Sequence, residues 1–415
     1  MTFFQLGANL SFMNIRYLSK ILEHHLKTMR QMVFLVGPRQ VGKTTLAQSF
    51  LSPPVAGINF FNWDVPDHRK ILLSHIFPGK EPLSQDILVF DEIHKYPRWK
   101  NTLKGLFDLH EPHTHWIITG SAMLNVYRKG QDSLLGRHFT YHLAPFSVAE
   151  LSPKKGEKES STLLQTDFEL PQKEDQEALS LLLRFGGFPE PLFKAEETFL
   201  ARWRTNRLDR LVNQDLAHTE NLRHLPLVEQ LMLLLPERVG SPLSLNSLRK
   251  DLEVHFTTAK HWMNLLERVF YGFFITPYSK KTNRMLKKEP KWYLWDWSEI
   301  ENSGARFENL VAVHLLKYVN YTNDLGLDQL SLHYVRDKEK REVDFLICKK
   351  KKPALLIECK RGNPDLDPSL EYFSKILEVP HALQITEENI PKKIIRKPGA
   401  LIQIIPAASF LKELV

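Results

Sequence analysis

The sequence predicts an α/β protein built from more than one domain, and three observations support this prediction. Short apolar runs alternate with helical stretches early in the chain, which is typical of a parallel sheet covered by helices. A second alternation of helical and strand-like segments begins near residue 304. The chain has 415 residues, which exceeds one ordinary domain of roughly 150 residues.

The first domain is predicted at residues 13–150. A strand at 32–36 leads directly into a glycine-rich loop, and residues 43–51 favour a helix immediately after that loop. This strand–loop–helix order is the context that a phosphate-binding loop needs. The predicted strands of this domain cover residues 32–36, 57–63, 86–91 and 115–119.

The rest of the chain is predicted to form a linker and two further domains. Residues 151–177 are polar and charged, which indicates a linker or a flexible insertion. Residues 178–298 favour a helical and winged-helix domain, and residues 299–415 favour a separate α/β domain.

The winged-helix prediction depends on two helices followed by two strands. Ser244 or Ser247 caps a helix that runs to residue 254, and a second helix covers 257–270. Strand-like runs at 271–278 and 291–296 follow, and they flank a basic tip that ends at Lys291. The predicted DNA contacts in this tip are Lys280, Lys281, Arg284, Lys287 and Lys288.

The glycine-rich loop matches the pattern G-x-x-x-x-G-K-[ST]. Gly37 and Gly42 let the backbone wrap closely around phosphate groups. Lys43 places a positive charge on the β- and γ-phosphates, and the hydroxyl of Thr44 is offered to Mg²⁺. The sequence therefore predicts a site for ATP and Mg²⁺. The predicted ATP-binding residues are Gly37, Pro38, Arg39, Gln40, Val41, Gly42, Lys43, Thr44 and Thr45.

Two acids end the apolar strand at 86–91 and predict hydrolysis in addition to binding. Asp91 would join Thr44 in holding the Mg²⁺ shell, and Glu92 would polarise the attacking water. The alternative is that both acids simply end a strand and face solvent.

Two further residues are candidates for catalysis beside Lys43 and Glu92. Ser121 follows the strand at 115–119 and could sense the γ-phosphate; the alternative is a simple Gly-Ser turn. Arg137 could act as an arginine finger on the ATP of a neighbouring subunit; the alternative is a surface or ion-paired arginine. A finger would require an oligomer with shared sites.

A carboxylate cluster is predicted in the last domain. Asp344 and Glu358 lie on two apolar strands joined by a tight turn, so they are expected side by side. Period-two alternation puts Lys360 on the same face as Glu358, and Glu308 arrives from a helix. Such carboxylates can bind Mg²⁺ and a lysine can orient water, which suits cleavage of phosphodiesters. The alternative is a strand pair with internal ion pairs. The lysine run 349–352 is expected to be a solvated turn; the alternative is contact with a phosphate backbone beside the nuclease-like site.

Composition narrows the function class. The formal charge of +8 favours polyanionic partners, although a generic basic protein explains it too. The two cysteines argue against a disulfide scaffold, and a cytoplasmic location is expected. No run of about 18 apolar residues and no signal peptide is found, so no membrane association is expected.

Several motifs together closely resemble a prokaryotic family of AAA-type P-loop ATPases. They are GPRQVGKTTL, VFDEIHKYPRWKNTLKGLFD, ITGSA, LLGRHFTYHLAPFSVAEL and FGGFPE. The resemblance implies a winged-helix middle section and a C-terminal restriction-endonuclease-like domain of the PD-(D/E)xK type. It also implies Asp91 and Glu92 as the Walker B acids, Ser121 as a sensor and Arg137 as a candidate finger. Its nuclease-like site would comprise Glu308, Asp344, Glu358 and Lys360.

The leading hypothesis is an ATPase that remodels or moves along DNA, whose nuclease-like domain either cleaves DNA or only binds it. Its expected partners are duplex, forked or branched DNA and further copies of itself, with a hexamer as one arrangement. The second hypothesis is a nucleotide-dependent switch that controls protein partners in stress or defence. A small-molecule kinase is disfavoured because Asp91 and Glu92 suit attack by water.

Overall fold

The computed structural model describes residues 16–51, 53–75, 86–109, 114–120, 134–153, 167–216, 224–279, 289–362 and 365–415. The chain folds as two compact units. The first comprises the chain up to Ala144 together with Arg268–Phe270, and the second comprises Pro145–Glu267 together with Tyr271–Val415.

The first unit contains a five-stranded parallel sheet in the order β2-β3-β4-β1-β5. The four predicted strands are confirmed, although the second is shorter than expected. The fifth strand was not predicted, because it lies at the edge of the sheet and only Tyr141 within it is buried. The strands are β1 Met32–Val36, β2 Phe60–Asn62, β3 Ile87–Asp91, β4 His115–Thr119 and β5 His138–His142.

Helices cover this sheet and bury its central strands. All five residues of β1 are buried, as expected for an inner strand of a parallel sheet. Phe34, Phe90 and Trp116 share one apolar core with Leu103 of the helix Trp99–Leu109. The helix predicted at 43–51 ends earlier, at Gln48. The helices are α1 Ser19–Thr28, α2 Lys43–Gln48, α3 Pro66–His75 and α4 Trp99–Leu109.

The second unit begins with short helices. One helix starts at Lys173, inside the predicted linker, because the carboxylate of Asp175 accepts the Gln172 N–H at 2.8 Å and caps the first turn. Residues 154–166 of that predicted linker lie outside the described residues. The α-helices are α5 Val148–Leu151, α6 Lys173–Phe185, α7 Pro189–Lys194, α8 Glu197–Arg210, α9 Leu225–Leu234, α10 Leu245–Asp251, α11 Phe256–Arg268, α12 Ser303–Asp324, α13 Pro368–Ile376 and α14 Ala407–Leu411.

The Gly-Gly-Phe-Pro break between α6 and α7 has a packing role. Gly186 adopts a left-handed φ of 75°, and a β-carbon at Gly187 would collide with the ring of Trp297. The indole N–H of Trp297 donates to the carbonyl of Leu182 at 2.6 Å. The motif therefore lets two helices meet around a buried tryptophan.

An eight-stranded mixed sheet completes the second unit, in the order β12-β13-β11-β10-β9-β8-β6-β7. The predicted hairpin after two helices is present as β6 and β7, which pair antiparallel. Because β6 also pairs with β8, one sheet spans the predicted domain boundary at residue 298. The strands are β6 Gly272–Pro277, β7 Lys291–Leu294, β8 Leu330–Arg336, β9 Glu342–Lys349, β10 Lys352–Lys360, β11 His381–Thr386, β12 Lys393–Lys397 and β13 Ala400–Pro406.

Helices pack on the central strands of this sheet. The helix α12 contacts β7, β8 and β10, and α13 contacts β9, β10 and β11. Leu370 and Phe373 of α13 join Leu346 and Leu356 in one core. Among the described helices, none is long and apolar enough to cross a membrane.

Candidate functional site: a nucleotide loop and a carboxylate cluster

The phosphate-binding loop runs from the end of β1 to the start of α2. Its two glycines are required by local geometry. A β-carbon at Gly37 would collide with the carbonyl oxygen of Leu143, and Gly42 has a φ of 99° at the N-cap of α2. Gln40 also adopts a positive φ, of 63°. The chain is therefore wound tightly between the strand and the positive end of the helix.

Lys43 is buried at the centre of this loop. Its ammonium donates to the carbonyl oxygens of Gly37 at 2.9 Å and Pro38 at 2.7 Å. The side chain therefore turns back over the loop that precedes it, where it would meet an anion enclosed by the loop.

Asp91 lies at the end of β3 and accepts several hydrogen bonds. Its carboxylate accepts from the hydroxyl of Thr44 at 3.1 and 3.2 Å, from the amide of Asn62 at 3.0 Å, and from the hydroxyl of Thr119. Burial raises the pKa of Asp91, and the hydrogen bonds from Thr119 and Thr44 oppose that shift only in part.

This arrangement fits a magnesium ion. The hydroxyl of Thr44 and the carboxylate of Asp91 are hard oxygen ligands in direct contact, beside the loop that would enclose phosphate. A cation there would also compensate a carboxylate that burial disfavours as an anion. Thr44 and Asp91, the two residues predicted for Mg²⁺, are therefore brought together.

Asn62 and Thr119 were missed by sequence reasoning. A signal for them existed, because both end strands of the parallel sheet and such ends meet at one edge. The predicted sensor, Ser121, lies two residues beyond Thr119 and outside the described residues.

Glu92 follows Asp91 with a left-handed φ of 58°, a conformation that is uncommon for residues other than glycine. Its carboxylate lies 3.3 Å from the ammonium of Lys95 and 3.7 Å from the imidazole of His94. Lys95 also pairs with Asp64 at 2.6 Å. Burial lowers the pKa of His94, which favours its neutral form. Glu92 is thus held next to Asp91 by these contacts, and its side chain is only 20% exposed to solvent.

Arg137 forms a bidentate pair with Asp108 of its own chain. The two hydrogen bonds measure 2.9 and 3.1 Å, and both side chains are partly exposed. This geometry matches the alternative of an ion-paired arginine. The role of Arg137 as a finger stays a prediction.

The four residues of the predicted nuclease-like cluster do converge. The backbone N–H of Asp344 donates to Glu358 at 3.2 Å, and Lys360 donates to Glu358 at 2.8 Å. Glu308 approaches from α12 and accepts from the hydroxyl of Tyr293 at 2.6 Å. Burial, followed by the charge of Asp344, raises the pKa of Glu308 to about 7 and that of Glu358 to about 9.

Lys291 corrects the sequence interpretation of the basic tip. It was placed at the end of an exposed basic segment, but its side chain is 0% exposed. Its ammonium lies 2.7 Å from Glu342, 3.2 Å from Glu308 and 3.5 Å from Asp344. Burial alone would lower the pKa of Lys291, but these carboxylates raise it, so the side chain stays charged.

The other basic residues considered for DNA binding lie partly inside and partly outside the described residues. Lys280, Lys281, Arg284, Lys287 and Lys288 lie outside the described residues. The lysines at 349–352 are all exposed in a tight turn, as expected, and Lys349 pairs with Asp328 at 2.5 Å. The helix α11 follows α10 after a four-residue turn and exposes Thr257, Lys260, His261 and Asn264.

Comparison with known families identifies the first domain. Residues 29–152 match a family model described as an AAA domain. With its parallel sheet and phosphate loop, this segment has the fold of a P-loop AAA-type ATPase, and that fold implies nucleotide binding. Residues 176–298 and 303–409 match two models that are each described as a domain of unknown function, DUF8612 and DUF4143. The winged-helix and nuclease-like assignments therefore stay proposals.

Two individual proteins resemble the chain distantly. It is 22% identical over 322 residues to an uncharacterised protein of Methanocaldococcus jannaschii, covering 74% of this chain and 68% of that protein. It is also 22% identical over 322 residues to an uncharacterised protein of Mycobacterium tuberculosis, covering 76% and 67%.

The chain also shows low similarity to two solved structures. They are the Aeropyrum pernix ORC1 protein in complex with DNA and the Thermotoga maritima RuvB Holliday junction branch migration motor. The first is 13% identical, with a TM-score of 0.31 and coverage of 72% of this chain and 94% of that chain. The second is 18% identical, with a TM-score of 0.30 and coverage of 66% and 94%. At these TM-scores the similarity carries no argument about this chain.

Proposed function

We propose that this protein is an AAA-type ATPase that couples ATP hydrolysis to the binding and remodelling or translocation of DNA. The observation that carries the ATPase part is the contact of Thr44 with Asp91 beside the Lys43 loop. In this proposal the loop N–H groups and Lys43 bind the phosphates. Thr44 and Asp91 would hold Mg²⁺, which neutralises charge on the transferred phosphoryl group.

Glu92 is proposed to accept a proton from the attacking water. Its carboxylate follows Asp91 directly, and its backbone is held in place because its N–H donates to the carbonyl of Thr119 at 3.1 Å. The same carboxylate lies 3.3 Å from the ammonium of Lys95, which holds it in position. Asn62 and Thr119 are proposed to orient Asp91 through their hydrogen bonds.

The DNA part of the proposal is supported by α10, α11 and the β6–β7 hairpin. Their order is that of a helix-turn-helix followed by a wing. One face of α11 presents Thr257, Lys260, His261 and Asn264, which can donate to phosphates and base edges. The formal charge of +8 adds an attraction to polyanions.

The proposed assembly is a homo-oligomer, with a hexamer as one arrangement, in which Arg137 would reach the ATP of a neighbour. In the single chain Arg137 pairs with Asp108, so assembly would have to exchange that partner for phosphate.

The test is the ATPase rate against a panel of duplex, forked, branched and single-stranded DNA, with Glu92→Gln as the inactive control. We expect stimulation by DNA, strongest for duplex or branched forms, that falls as salt rises. DNA-independent hydrolysis together with no DNA binding at low salt would remove the DNA part and leave the ATPase part intact.

A second candidate function is a nucleotide-dependent switch that controls a protein partner. It is favoured by Lys291, since one cation of the predicted basic wing is used inside the molecule. The same DNA panel discriminates between the two functions, because a switch would hydrolyse ATP at a rate that DNA does not change.

A further inference from the structure

The ammonium of Lys291 lies among three carboxylates. Glu342 on β9, Glu308 on α12 and Asp344 on β9 place oxygens 2.7, 3.2 and 3.5 Å from it. The side chain is completely buried, and its amine also lies 5.5 Å from the ring centre of Tyr334. A positive charge is therefore held inside the cluster that the sequence predicted for Mg²⁺.

The other acids of this cluster also contact cations of the chain. Lys360 lies 2.8 Å from Glu358 and 2.8 Å from Asp367. Glu342 pairs with Arg336 at 3.1 Å in addition to Lys291. Each carboxylate that could serve as a metal ligand thus already contacts a lysine or an arginine, and three of them share the ammonium of Lys291.

Individual oxygen atoms of these carboxylates also accept hydrogen bonds from groups of the protein. On Asp344, Oδ1 faces Lys291 and Oδ2 accepts the N–H of Cys359 at 3.0 Å. On Glu358, Oε1 accepts from Lys360 and Oε2 accepts the N–H of Asp344. On Glu308, Oε1 accepts from both Tyr293 and Lys291. A metal ion bound by these oxygens would compete with these donors.

Metal coordination is therefore disfavoured by the donor set itself. Throughout the described ranges, no group of three or more His, Cys, Asp or Glu side chains could hold a metal ion. Mg²⁺ demands near-ideal octahedral oxygen coordination at about 2.0–2.1 Å, and the ammonium of Lys291 occupies the space among these carboxylates that such an ion would take. The residues present do not fit the metal that the nuclease resemblance implies.

We infer that Lys291 is a tethered cation that takes the place of the divalent metal in this cluster, so the C-terminal domain does not cleave DNA by a metal-dependent route. An ammonium cannot carry an activated water or polarise a phosphate as a metal does. What Lys291 does provide is a link between neighbouring elements of the fold. Lys291 starts β7, and its ion pairs fasten the β6–β7 hairpin to α12 and β9.

The inference is independent of the proposed ATPase, and its test uses the full chain without nucleotide. The parent carries Asp91→Asn, which removes the magnesium ligand of the ATP site. Free Mn²⁺ is measured by electron paramagnetic resonance as protein is added. We expect no Mn²⁺ binding that depends on Asp344 in this parent.

The decisive variant is Lys291→Met, with Lys291→Arg as the control that keeps the charge. We expect Lys291→Met to raise the Mn²⁺ affinity about tenfold or more, and Asp344→Asn to abolish that gain. Lys291→Arg should resemble the parent. A folded Lys291→Met protein without the gain would overturn the inference.

The parent alone decides the question if Lys291→Met does not fold. Mn²⁺ binding to the parent that disappears with Asp344→Asn would overturn the inference, and absence of such binding supports it. Neither result depends on DNA or on ATP hydrolysis. A failure of this inference can therefore be told apart from a failure of the proposed DNA function.

Discussion

At the scale of single residues, the nucleotide site is organised around Asp91. Three side chains from three parts of the first domain donate to one buried carboxylate: Thr44, Asn62 and Thr119. A buried anion is costly unless it is hydrogen-bonded or paired with a cation. A cation bound beside Asp91 would compensate this buried charge, and the proton transfer is proposed for the neighbouring Glu92.

The first prediction separates binding from hydrolysis. Glu92→Gln keeps the size of the side chain but cannot accept the proton of water, so kcat for ATP should fall about 100-fold or more while ATP affinity is retained. Lys43→Ala should weaken ATP binding itself, because it removes the charge on the phosphates. Fluorescent nucleotide titration and phosphate release measure the two effects. Loss of binding in Glu92→Gln would contradict the assigned role.

The second prediction concerns Arg137 and its partner. If Arg137 is a finger, Arg137→Ala should lower kcat about 1000-fold, whereas Asp108→Ala should leave the rate near wild type because it only frees the arginine. Phosphate release by the two variants at equal protein concentration measures this. Equal losses in both variants would instead identify the pair as a structural ion pair.

At the scale of elements, α12 links distant parts of the second unit. Asn309 exchanges two hydrogen bonds with the backbone of Leu294 in β7, at 2.7 and 2.8 Å. His314 accepts the N–H of Val148 at 3.0 Å, and Lys317 donates to Ser147 at 2.8 Å and to Glu150. One buried helix thus holds both the edge hairpin and the segment that follows Pro145.

The third prediction follows from His314. Burial lowers its pKa to about 3, while the unfolded chain keeps the ordinary value of 6.5. Between these values the unfolded chain binds more protons than the folded chain. The contribution of His314 to the free energy of unfolding is therefore fully present above pH 6.5 and decreases as pH falls below 6.5. The slope contributed by His314 reaches about 1.4 kcal/mol per pH unit.

The comparison that isolates this effect is His314→Gln, which keeps a hydrogen-bond acceptor but does not titrate. Glu308 and Glu358 have raised pKa values and act with the opposite sign. Their contribution to the free energy of unfolding decreases as pH rises above 4.5, because the folded chain then binds more protons than the unfolded chain. Chemical denaturation at pH 7 and pH 5 should therefore show a smaller loss on acidification for the variant than for wild type. Identical losses would show that His314 does not titrate with folding.

The fourth prediction tests α11 as a DNA-binding helix. Lys260→Glu should weaken DNA binding and reduce the slope of log affinity against log salt by about one or more. Lys375→Glu, an equal change of charge on the exposed face of α13, is the control for net charge. Fluorescence anisotropy at several salt concentrations measures both. Equal effects of the two variants would indicate attraction by overall charge without a defined surface.

At the scale of the whole molecule, the chain combines one ATPase domain with a second unit that contains no predicted catalytic residue for ATP. In the proposed function, Arg137 of one copy would complete the ATP site of another, so hydrolysis would involve several copies. The formal charge of +8 is spread over a long chain and sets a general attraction rather than a specific site.

The fifth prediction is assembly that depends on the nucleotide state. Glu92→Gln with ATP and Mg²⁺ should accumulate oligomers, because bound ATP is not consumed, whereas Lys43→Ala should remain at the mass of the nucleotide-free protein. Mass photometry at one protein concentration measures both. Equal mass distributions would argue against sites shared between subunits.

The sequence by itself determined the nucleotide loop, the Asp91-Glu92 pair and the meeting of Asp344 with Glu358. Each of these depends on short spacing within or beside an apolar strand, and such local order survives in the folded chain. The four strongly apolar strands of the first sheet were predictable for the same reason.

Only the tertiary structure decided the contacts of Thr119, Asn62 and Lys291. The first two donate hydrogen bonds to Asp91 because separate strands end at one edge of a sheet. Lys291 resembles any other lysine of a basic tip until β7 is placed beside α12 and β9. Contacts between residues far apart in the chain leave no periodic pattern in the sequence, so the buried cation was visible only in the folded molecule.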